Sequence, residues 1–549
     1  MKFVDWLARR LHAAGTRRAF GVPGGGNSLD LIVALRAVGI DTVVTAREDA
    51  AIMMAGISGV LGESPGVAFT TKGPGLASGS NGLAAAALDR MPTLLVTESF
   101  EPGELEFLSH QVYDQAELVA PFLAKADSEI VQPTVGGIEA WLEGALGTPY
   151  RPGVMLPTSR DYANEVTDPA VGSPGTPAGL HGMQSIEPPA PDLDAARSAL
   201  ARARRPVVVI GLGAARSDVT DPLRALVDTL GAPVLCTYMA KGCVPDDAPQ
   251  FAGIFTGGAI EQPCVIESDL IVLIGLDPVE LIRKPWPYEI PVLELTETIH
   301  SPHYMVPEYR VIGRLANTLA ALDSQAGETE WTSAEIAAHR SRFIDGMTVP
   351  TTPGTADAPG VGSSDTVMFT AQAFTAHRPV LPRLAVDAGA HMFSACAFWP
   401  CATERDLLIS NGLATMGFAL PAGLAAALHD PSRGAVAMTG DGGLLMCLGE
   451  LKTAAEMQAN LTVIVFNDGR LSLIDIKRQE RQMSDLGMSW ERPDFAAVAR
   501  GFGLRAWQAR DVRGLEDALG EAINLPGPKL VDVWIDSGGY PEQLRALRG

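Results

Sequence analysis

Cysteine and long apolar runs are both scarce in this chain of 549 residues. Its six cysteines form no Cys-x-x-Cys pair and are too sparse for a disulfide scaffold, so we expect ordinary buried thiols. No segment approaches the roughly 18 uncharged apolar residues of a membrane-spanning helix, and charges interrupt the apolar N-terminal stretch MKFVDWLARRLHAAG. We therefore expect no membrane span, no signal peptide and a cytoplasmic location.

Positive charge is also in short supply. Lys and Arg total 42 against 64 Asp and Glu, and the formal net charge of −22 disfavours binding to nucleic acid and to anionic membrane surfaces. Hydrophobic residues make up 47% of the chain and charged residues 19%, as in a well-buried globular protein. A length several times that of a usual domain of about 100–200 residues predicts two to four domains.

Two stretches rich in Pro, Gly, Ser and Thr, residues 166–192 and 345–365, lack periodicity and are typical of linkers. They divide the chain into predicted domains at residues 1–165, 190–340 and 366–549. Short β-rich runs alternate with helical patterns in each domain, which predicts parallel strands joined by crossover helices. The expected fold class is α/β, with three doubly wound parallel-sheet domains. The β-rich runs are AFGVP, DTVVTA, GVAFTT and TLLVTES in the first domain, RPVVVIG, APVLCTY and DLIVLIG in the second, and RLAVDAG, GAVAMTGD, LTVIVFND and LVDVWID in the third.

One segment of the third domain has the pattern of a β-α-β unit with acidic residues at both strand ends. One β-rich run ends at Asp441, an amphipathic helix is predicted over about 444–458, and a second β-rich run ends at Asp468. Both aspartates should lie at the same sheet edge, where open α/β folds bind ligands. The glycines of GDGG (440–443) allow a close backbone approach at a helix N-terminus, which attracts phosphate. Together these features predict a Mg²⁺-diphosphate site, and an ordinary Gly-rich turn is the alternative.

These residues resemble the thiamine-diphosphate signature, in which GDG is followed one β-α-β unit later by NN or ND. Asp468 follows Asp441 by 27 residues, which matches the spacing of that family. In order and spacing the chain is similar to the superfamily of acetolactate synthase, benzoylformate decarboxylase and pyruvate decarboxylase. The further motifs that carry the resemblance are FGVPGG (20–25), RED (47–49), TTKGPG (70–75), Asn81, MAKG (239–242), DAGAH (387–391) and NGLATMGFALPAG (411–423).

The resemblance implies thiamine diphosphate and Mg²⁺ as cofactors, with Asp441, Asp468 and Arg470 as the metal-binding residues. Met416 matches the apolar residue that wedges between the two rings of the cofactor, and a core methionine is the alternative. His391 resembles a diphosphate contact, and a surface histidine is the alternative. The cofactor-binding residues that the resemblance implies are Gly24, Gly25, Pro74, Asn81, Gly389, His391, Met416, Gly440, Gly442 and Gly443.

Glu48 follows the β-rich run DTVVTA, so we expect it at the carboxyl end of a strand in the first domain. By resemblance, the matching Glu hydrogen-bonds N1′ of the aminopyrimidine and favours the imino tautomer, whose nitrogen removes the C2 proton of the thiazolium. A carboxylate among the apolar residues of AAIMMAG would have a raised pKa, which suits the sharing of a proton. A helix N-terminal Glu stabilised by the helix dipole is the alternative.

The pocket residues decide which reaction the cofactor performs. By resemblance, Ile474 stands where pyruvate and indolepyruvate decarboxylases carry a proton-donating Glu, so simple pyruvate decarboxylase chemistry is disfavoured. His110 and Gln111 resemble the loop that places a Gln over the reacting centre in acetolactate synthase and benzaldehyde lyase, and a solvated loop histidine is the alternative for His110. The predicted substrate pocket contains Gly26, Leu473, Ile474 and Lys477.

Two departures from acetolactate synthase argue against bound FAD and against specificity for 2-oxobutyrate. IGLDPVE (274–280) replaces an arginine-bearing stretch associated with flavin binding, and Lys477 replaces a pocket tryptophan. In addition, GLGAAR (211–216) lacks the third glycine of a dinucleotide fingerprint, which favours a plain strand-turn-helix there. If residues 471–482 continue as a helix, Ile474 and Lys477 lie about one turn apart and can face the same pocket. Lys477 could also belong to a solvated basic face with Arg478 and Arg481.

The function that we expect is that of a thiamine-diphosphate- and Mg²⁺-dependent 2-oxo-acid decarboxylase or carboligase, similar to acetolactate synthase. One alternative is a thiamine-dependent lyase or acetyltransferase acting on another anionic carbonyl compound. The other is an inactive scaffold of the same fold, against which the intact Glu48, Asp441 and Asp468 argue. The expected partners are small 2-oxo acids or aldehydes and a second copy of the chain, in a dimer or tetramer whose site lies between subunits.

Overall fold

The structure is a computed structural model, and it consists of α/β layers built on three parallel sheets. It describes residues 1–125, 130–147, 150–167, 187–282, 284–301, 303–322, 329–349, 360–484 and 486–549. Most of the predicted linker 166–192, and residues 350–359 of the predicted linker 345–365, lie outside the described residues. The boundaries proposed for the three domains stay predictions.

The strands are β1 (Arg18–Val22), β2 (Asp41–Val44), β3 (Gly66–Thr70), β4 (Thr93–Thr97), β5 (Ile130–Val131), β6 (Gly153–Met155), β7 (Pro206–Ile210), β8 (Val234–Cys236), β9 (Phe251–Ile254), β10 (Leu270–Ile274), β11 (Val292–Thr296), β12 (Tyr309–Ile312), β13 (Val361–Gly362), β14 (Arg383–Val386), β15 (Leu407–Ile409), β16 (Ala435–Gly440), β17 (Leu461–Asn467), β18 (Arg505–Ala509) and β19 (Lys529–Asp536).

The α-helices are α1 (Phe3–Ala13), α2 (Asn27–Ala37), α3 (Glu48–Gly62), α4 (Pro74–Leu88), α5 (Gln115–Lys125), α6 (Val135–Ala145), α7 (Ser159–Ala163), α8 (Ala190–Arg202), α9 (Ser217–Leu230), α10 (Gln262–Val265), α11 (Leu315–Leu322), α12 (Ser333–Met347), α13 (Ser363–Thr375), α14 (His391–Phe398), α15 (Ala419–His429), α16 (Asp441–Cys447), α17 (Glu450–Glu456), α18 (Ser472–Glu480), α19 (Phe495–Gly501), α20 (Val512–Ala522) and α21 (Tyr540–Arg548).

The strand order of each sheet confirms the predicted fold class. The first sheet has the order β2-β1-β3-β4-β6-β5 and the second β12-β11-β10-β7-β8-β9. In the third, the order is β13-β19-β17-β16-β14-β15, with β18 also pairing with β19. Neighbouring strands run parallel, as the β-α-β connections require. Every predicted β-rich run contains a strand. The central strands β7, β10 and β17 are rich in buried Val, Ile and Leu, as expected for a sheet covered on both faces.

The chain forms two compact units that interleave along the sequence. The first comprises the described residues of Met1–Gln184 with Gly412–Gly434 and Cys447–Leu461, and it contains the first sheet. The second comprises the described residues of Ser185–Asn411 with Ala435–Met446 and Thr462–Gly549. It contains the second sheet and, apart from Leu461, the third.

Helix α3, which begins at Glu48, is the centre of the first unit. Its residues from Ala50 to Ile57 are all buried, because β1, β3, α4 and α15 pack around it. An all-round apolar sequence such as AAIMMAGI is what a fully enclosed helix requires. The N-terminus of α3 is therefore held by surrounding elements on several sides.

The predicted helix at about 444–458 is two helices, α16 and α17, separated at Leu448 and Gly449. The helix expected over 471–482 is present as α18. Helix α12 extends to Met347 and β13 begins at Val361, so both ends of the predicted linker 345–365 are folded. Within the described part of the chain, no helix has the length and apolar character needed to cross a membrane.

Candidate active site

Three acidic residues lie directly after three neighbouring strands of the third sheet. Asp387 follows β14, Asp441 follows Gly440 at the end of β16, and Asp468 follows β17. This confirms that the β-α-β unit brings Asp441 and Asp468 to one sheet edge. The backbone N–H of Gly469 donates to Oδ2 of Asp441 at 2.9 Å, which joins the two strand ends directly.

Asp441 is 2% exposed, and neutral donors surround its carboxylate. The Gly442 N–H donates to Oδ1 at 2.8 Å, and the Trp490 indole N–H donates to Oδ2 at 3.2 Å. Burial, and then the neighbouring carboxylate of Asp468, raise the pKa of Asp441 to about 7. Two crowded carboxylates of this kind are electrostatically suited to a cation between them.

Asp468 is held by the residues that follow it. The Ser472 hydroxyl donates to Oδ2 of Asp468 in a short hydrogen bond. Burial raises the pKa of Asp468, and the Ser472 hydrogen bond opposes that shift. Arg470 is exposed and pairs with Asp475 at 3.5 Å. Since a guanidinium has no acceptor atom, Arg470 could reach a metal ion only through its backbone carbonyl.

His391 lies between two of the predicted glycines. A Cβ on Gly389 would come within 2.7 Å of the His391 ring, and one on Gly440 within 3.4 Å. Similarly, a Cβ on Gly443 would lie 2.1 Å from Oδ2 of Asp387. The imidazole is buried, stacks on Phe466 with ring centroids 5.2 Å apart, and leaves Nε2 without a hydrogen-bond partner. The surface alternative for His391 is therefore wrong.

The pKa of His391 is lowered by burial to about 4, so its ring is neutral at physiological pH. A buried polar nitrogen with no partner is costly and indicates a place for a polar ligand atom. An anion bound beside Nε2 would favour the protonated ring, which can donate from both nitrogens.

The predicted pocket residues lie on α18. Leu473 is half-buried against the core, Ile474 is 47% exposed, and Lys477 is exposed one turn further along the helix. Ile474 and Lys477 share a helix face, as predicted from their spacing of three residues. Both side chains are accessible to solvent in the single chain.

Glu48 is half-buried and is the first residue of α3 in the first unit. The Ser78 hydroxyl of α4 donates to Oε2 of Glu48 at 2.7 Å. Glycines in α4 allow the two helices to approach, since a Cβ on Gly79 would lie 2.9 Å from Cδ1 of Ile52. The Glu48 carboxylate is therefore fixed by one hydroxyl and remains open to a second hydrogen-bond donor.

A buried acidic residue, Glu98, supports the glycine-rich loop at residues 24–26 through hydrogen bonds. The N–H and hydroxyl of Ser28 both donate to Oε1 of Glu98, at 2.9 and 2.8 Å, and the Gly24 N–H donates to the Ser28 hydroxyl. Side chains at Gly24 or Gly26 would collide with Thr71 or Glu98, whereas a Cβ on Gly25 would meet nothing within 4 Å. Gly25 thus offers exposed backbone that a ligand can approach closely.

The remaining predicted residues of the first unit form two contacts. Asn81 and Thr415 exchange hydrogen bonds at 3.2 Å, which anchors the turn that carries the half-buried Met416. In the second contact, the exposed loop with His110 and Gln111 packs on the turn before Pro74. The backbone of Gln111 in this loop is left-handed (φ 64°). A Cβ on Gly73 would lie 2.7 Å from the Gln111 carbonyl oxygen, and the Tyr113 hydroxyl donates a hydrogen bond to the Gly73 carbonyl.

Sequence reasoning missed the residues that orient the predicted carboxylates. Trp490 lies 49 residues from Asp441, and Ser78 lies 30 residues from Glu48. Neither belongs to a motif whose spacing indicates such a contact. Ser472, four residues after Asp468, could have been found as a hydroxyl at the start of the predicted helix.

Buried carboxylates and a glycine-lined histidine without a hydrogen-bond partner, all at strand ends of a parallel sheet, indicate an α/β protein that binds an anionic ligand at the sheet edge. Comparison with known families identifies the group. Three thiamine pyrophosphate enzyme models match the chain: the N-terminal TPP binding domain at residues 1–118, the central domain at 193–322 and the C-terminal TPP binding domain at 387–533. The chain belongs to the thiamine pyrophosphate enzymes.

Curated relatives match almost the whole chain. An acetolactate synthase of Bacillus subtilis is 26% identical over 97% of this chain and 92% of its own length. A catabolic acetolactate synthase of Raoultella terrigena is 26% identical over 98% and 96%, and a probable 2-ketoarginine decarboxylase of Pseudomonas aeruginosa is 28% identical over 96% and 93%. The protein is a thiamine-diphosphate-dependent enzyme that forms or cleaves C–C bonds.

Proposed function

We propose that this enzyme is a Mg²⁺-dependent 2-oxo-acid decarboxylase or carboligase similar to acetolactate synthase. The observation that carries the proposal is the sheet edge where Asp441 and Asp468 crowd together beside the partnerless Nε2 of His391. Two carboxylates suit Mg²⁺ and a buried histidine suits a diphosphate, so the residues fit both groups.

Mg²⁺ would be bound by Asp441, Asp468 and the backbone carbonyl of Arg470. Within the described residues, no group of three or more His, Cys, Asp or Glu side chains is arranged to hold a metal ion. Further ligands would have to be oxygens of the diphosphate and of water, which is the usual arrangement for Mg²⁺. Trp490, Gly442 and Gly469 would keep the Asp441 carboxylate oriented toward the ion.

When bound, thiamine diphosphate supplies a site of electron withdrawal that makes bond breaking next to a carbonyl possible. The protein supplies positioning and proton transfer. Glu48 would hold or share a proton at N1′ of the aminopyrimidine, and Ser78 fixes Oε2 of its carboxylate. The residues that would hold the diphosphate are Gly389, His391, Gly440, Gly442 and Gly443. The residues that would hold the rings are Gly24, Gly25, Pro74, Asn81 and Met416.

Gln111 and His110 are proposed to act on the substrate. The Gln111 amide can donate a hydrogen bond to a carbonyl oxygen that gains negative charge, and His110 can relay a proton. Ile474 offers no proton, so release of the product depends on other donors. Gly26, Leu473, Ile474 and Lys477 would line the substrate pocket.

We propose that the central domain binds no FAD. The Leu212 N–H, in the turn where a dinucleotide phosphate would lie, donates to the buried carboxylate of Glu280 at 2.8 Å. Arg216 is committed to Glu297 and Asp218 at 3.0 Å. The Leu212 N–H is therefore already used and cannot bind a pyrophosphate oxygen. Flavin absorbance in the purified enzyme would contradict the proposal.

Asp441→Ala tests the metal site. We expect the affinity for thiamine diphosphate in the presence of Mg²⁺, measured by calorimetry, to fall by about 10- to 100-fold, since the diphosphate charge is then uncompensated. Asp387→Asn, at the neighbouring strand end, is the matched control and should retain binding within a few-fold. Unchanged affinity of the Asp441 variant would refute the metal role.

The substrate class is tested by incubating the holoenzyme with a panel of 2-oxo acids and aldehydes and identifying the products by mass. Release of CO₂ with an aldehyde product indicates a decarboxylase, and a hydroxyketone indicates a carboligase. Products from sulfonated aldehydes alone would favour the lyase or acetyltransferase alternative.

A further inference from the structure

Glu450 binds the backbone immediately before Glu48. It is the first residue of α17 and fully buried, and the whole contact lies within the first compact unit. Its Oε1 accepts hydrogen bonds from the N–H groups of Ala46 and Arg47, both at 3.1 Å. These are the last two of the three residues that connect β2 to Glu48, the first residue of α3.

The Glu450 carboxylate is itself fixed. The Thr453 hydroxyl donates to Oε2 at 2.7 Å, so both carboxylate oxygens have defined partners. The approach of α17 depends on the residue before it, because a Cβ on Gly449 would lie 2.7 Å from Cβ of Ala46. Burial raises the pKa of Glu450, and the hydrogen bonds from Thr453, Ala46 and Arg47 oppose that shift.

We infer that Glu450 is a positioning residue for Glu48, acting through the peptide planes of Ala46 and Arg47. A buried acceptor that binds two consecutive N–H groups fixes the direction in which the chain enters α3, and thus the position of the Glu48 carboxylate. A misplacement of about 1 Å at a reacting group can cost about 100-fold in rate. The inference rests on the proposed role of Glu48.

The test compares Glu450→Ala with Glu450→Gln by two measurements. The first is the rate of C2 hydrogen–deuterium exchange of thiamine diphosphate bound to the enzyme with Mg²⁺, which needs no substrate. The second is amide exchange at residues 46 and 47 in the full chain without cofactor. Asp406→Ala is the matched control, because buried Asp406 accepts from the N–H groups of Ala402 and Thr403 and from the Thr403 hydroxyl in the second unit.

For Glu450→Ala we expect the C2 exchange rate to fall about 10- to 100-fold and amide exchange at 46 and 47 to rise at least tenfold. Glu450→Gln retains an acceptor oxygen and should remain within about threefold of the parent in both measurements. Asp406→Ala should leave both unchanged, although it lowers the melting temperature. A C2 rate that is unaffected by Glu450→Ala, or lowered equally by Asp406→Ala, would overturn the inference.

Two further variants keep the test decisive. If Glu450→Ala does not fold, Gly449→Ala replaces it, because it displaces Ala46 while leaving Glu450 in place. This variant should lower the C2 exchange rate at least fivefold, and an unchanged rate would overturn the inference.

Glu48→Gln separates the positioning role of Glu450 from the proposed function. If that variant keeps the parent rate, the proposed function fails; if it is slow while Glu450→Ala is not, only the positioning role fails.

Discussion

The Glu48 carboxylate combines one fixed oxygen with one that a ligand can approach, and this arrangement makes a substitution informative. Glu48→Gln keeps the shape and the Ser78 contact but cannot share a proton at N1′. We expect binding of thiamine diphosphate to stay within about threefold and turnover of the 2-oxo acid identified by the product panel to fall about 10²–10⁴-fold. Calorimetry and steady-state kinetics measure the two quantities.

The control for this substitution is Asp49→Asn, because Asp49 is a carboxylate at the same helix N-terminus and pairs with Arg47 at 2.9 Å. It should retain turnover within a few-fold. Near-parent turnover of Glu48→Gln would remove Glu48 from the mechanism.

Helix α18 is the element on which substrate preference is proposed to depend. Lys477 and Ile474 lie on one exposed face, so an anionic substrate bound there would meet a cation. A charge-assisted hydrogen bond contributes about 1–3 kcal/mol, so Lys477→Met should raise KM for an anionic 2-oxo acid about tenfold and leave a neutral aldehyde unaffected. Arg481→Met, beyond the helix end, is the control. Equal effects of Lys477→Met on both substrates would mean that Lys477 belongs to a solvated surface and does not contact the substrate.

The turn after β10 contains a buried acid whose protonation is linked to folding. Burial raises the pKa of Glu280 to about 8, although the Leu212 N–H and the Thr237 hydroxyl oppose the shift. The folded chain therefore holds a proton that the unfolded chain releases near pH 4.5, so stability is lost as the pH rises from about 5 to 8, at about 1.4 kcal/mol per pKa unit.

Glu280→Gln removes this titration while keeping most of the shape. Relative to the parent, the variant should gain thermal stability as the pH rises from 5 to 9, measured as the difference in Tm at each pH. Parallel Tm profiles for the two proteins would mean that Glu280 does not carry a proton in the folded state.

The elements near the site differ in how well the sequence predicts them. The strands β14, β16 and β17 and the meeting of Asp441 with Asp468 follow from apolar runs that end in acidic residues at a set spacing. The short strands β5 (two residues) and β9 were missed because tertiary packing determines them. In addition, β9 pairs with β8 in an irregular register next to Gly253. The break between α16 and α17 was also missed, since the apolar periodicity continues across it.

At the scale of the whole molecule, two adjacent exposed apolar side chains follow the residues proposed to hold the diphosphate. Leu445 and Met446 of α16 are 47% and 54% exposed, shortly after the glycines of the GDGG motif. Exposed apolar groups beside a site are typical of an interface between subunits. We expect sedimentation to show an active dimer or tetramer.

Met446→Glu should weaken that association and lower activity at dilute protein concentration. Val306→Glu is the control, because Val306 is a fully accessible apolar side chain elsewhere on the second unit. An active monomer in sedimentation would contradict the proposed assembly.

The interleaving of the two units has a consequence for biosynthesis. Helix α15, which covers α3, lies in Gly412–Gly434, so it emerges from the ribosome about 230 residues after the N-terminal part of its own unit. Since α15 begins about 360 residues after the end of α3, the apolar surface of α3 remains uncovered for roughly 20–70 s at about 5–20 residues per second. The nascent chain therefore exposes this apolar surface for much of its translation, and truncating the chain before Gly412 would remove the helix that covers it.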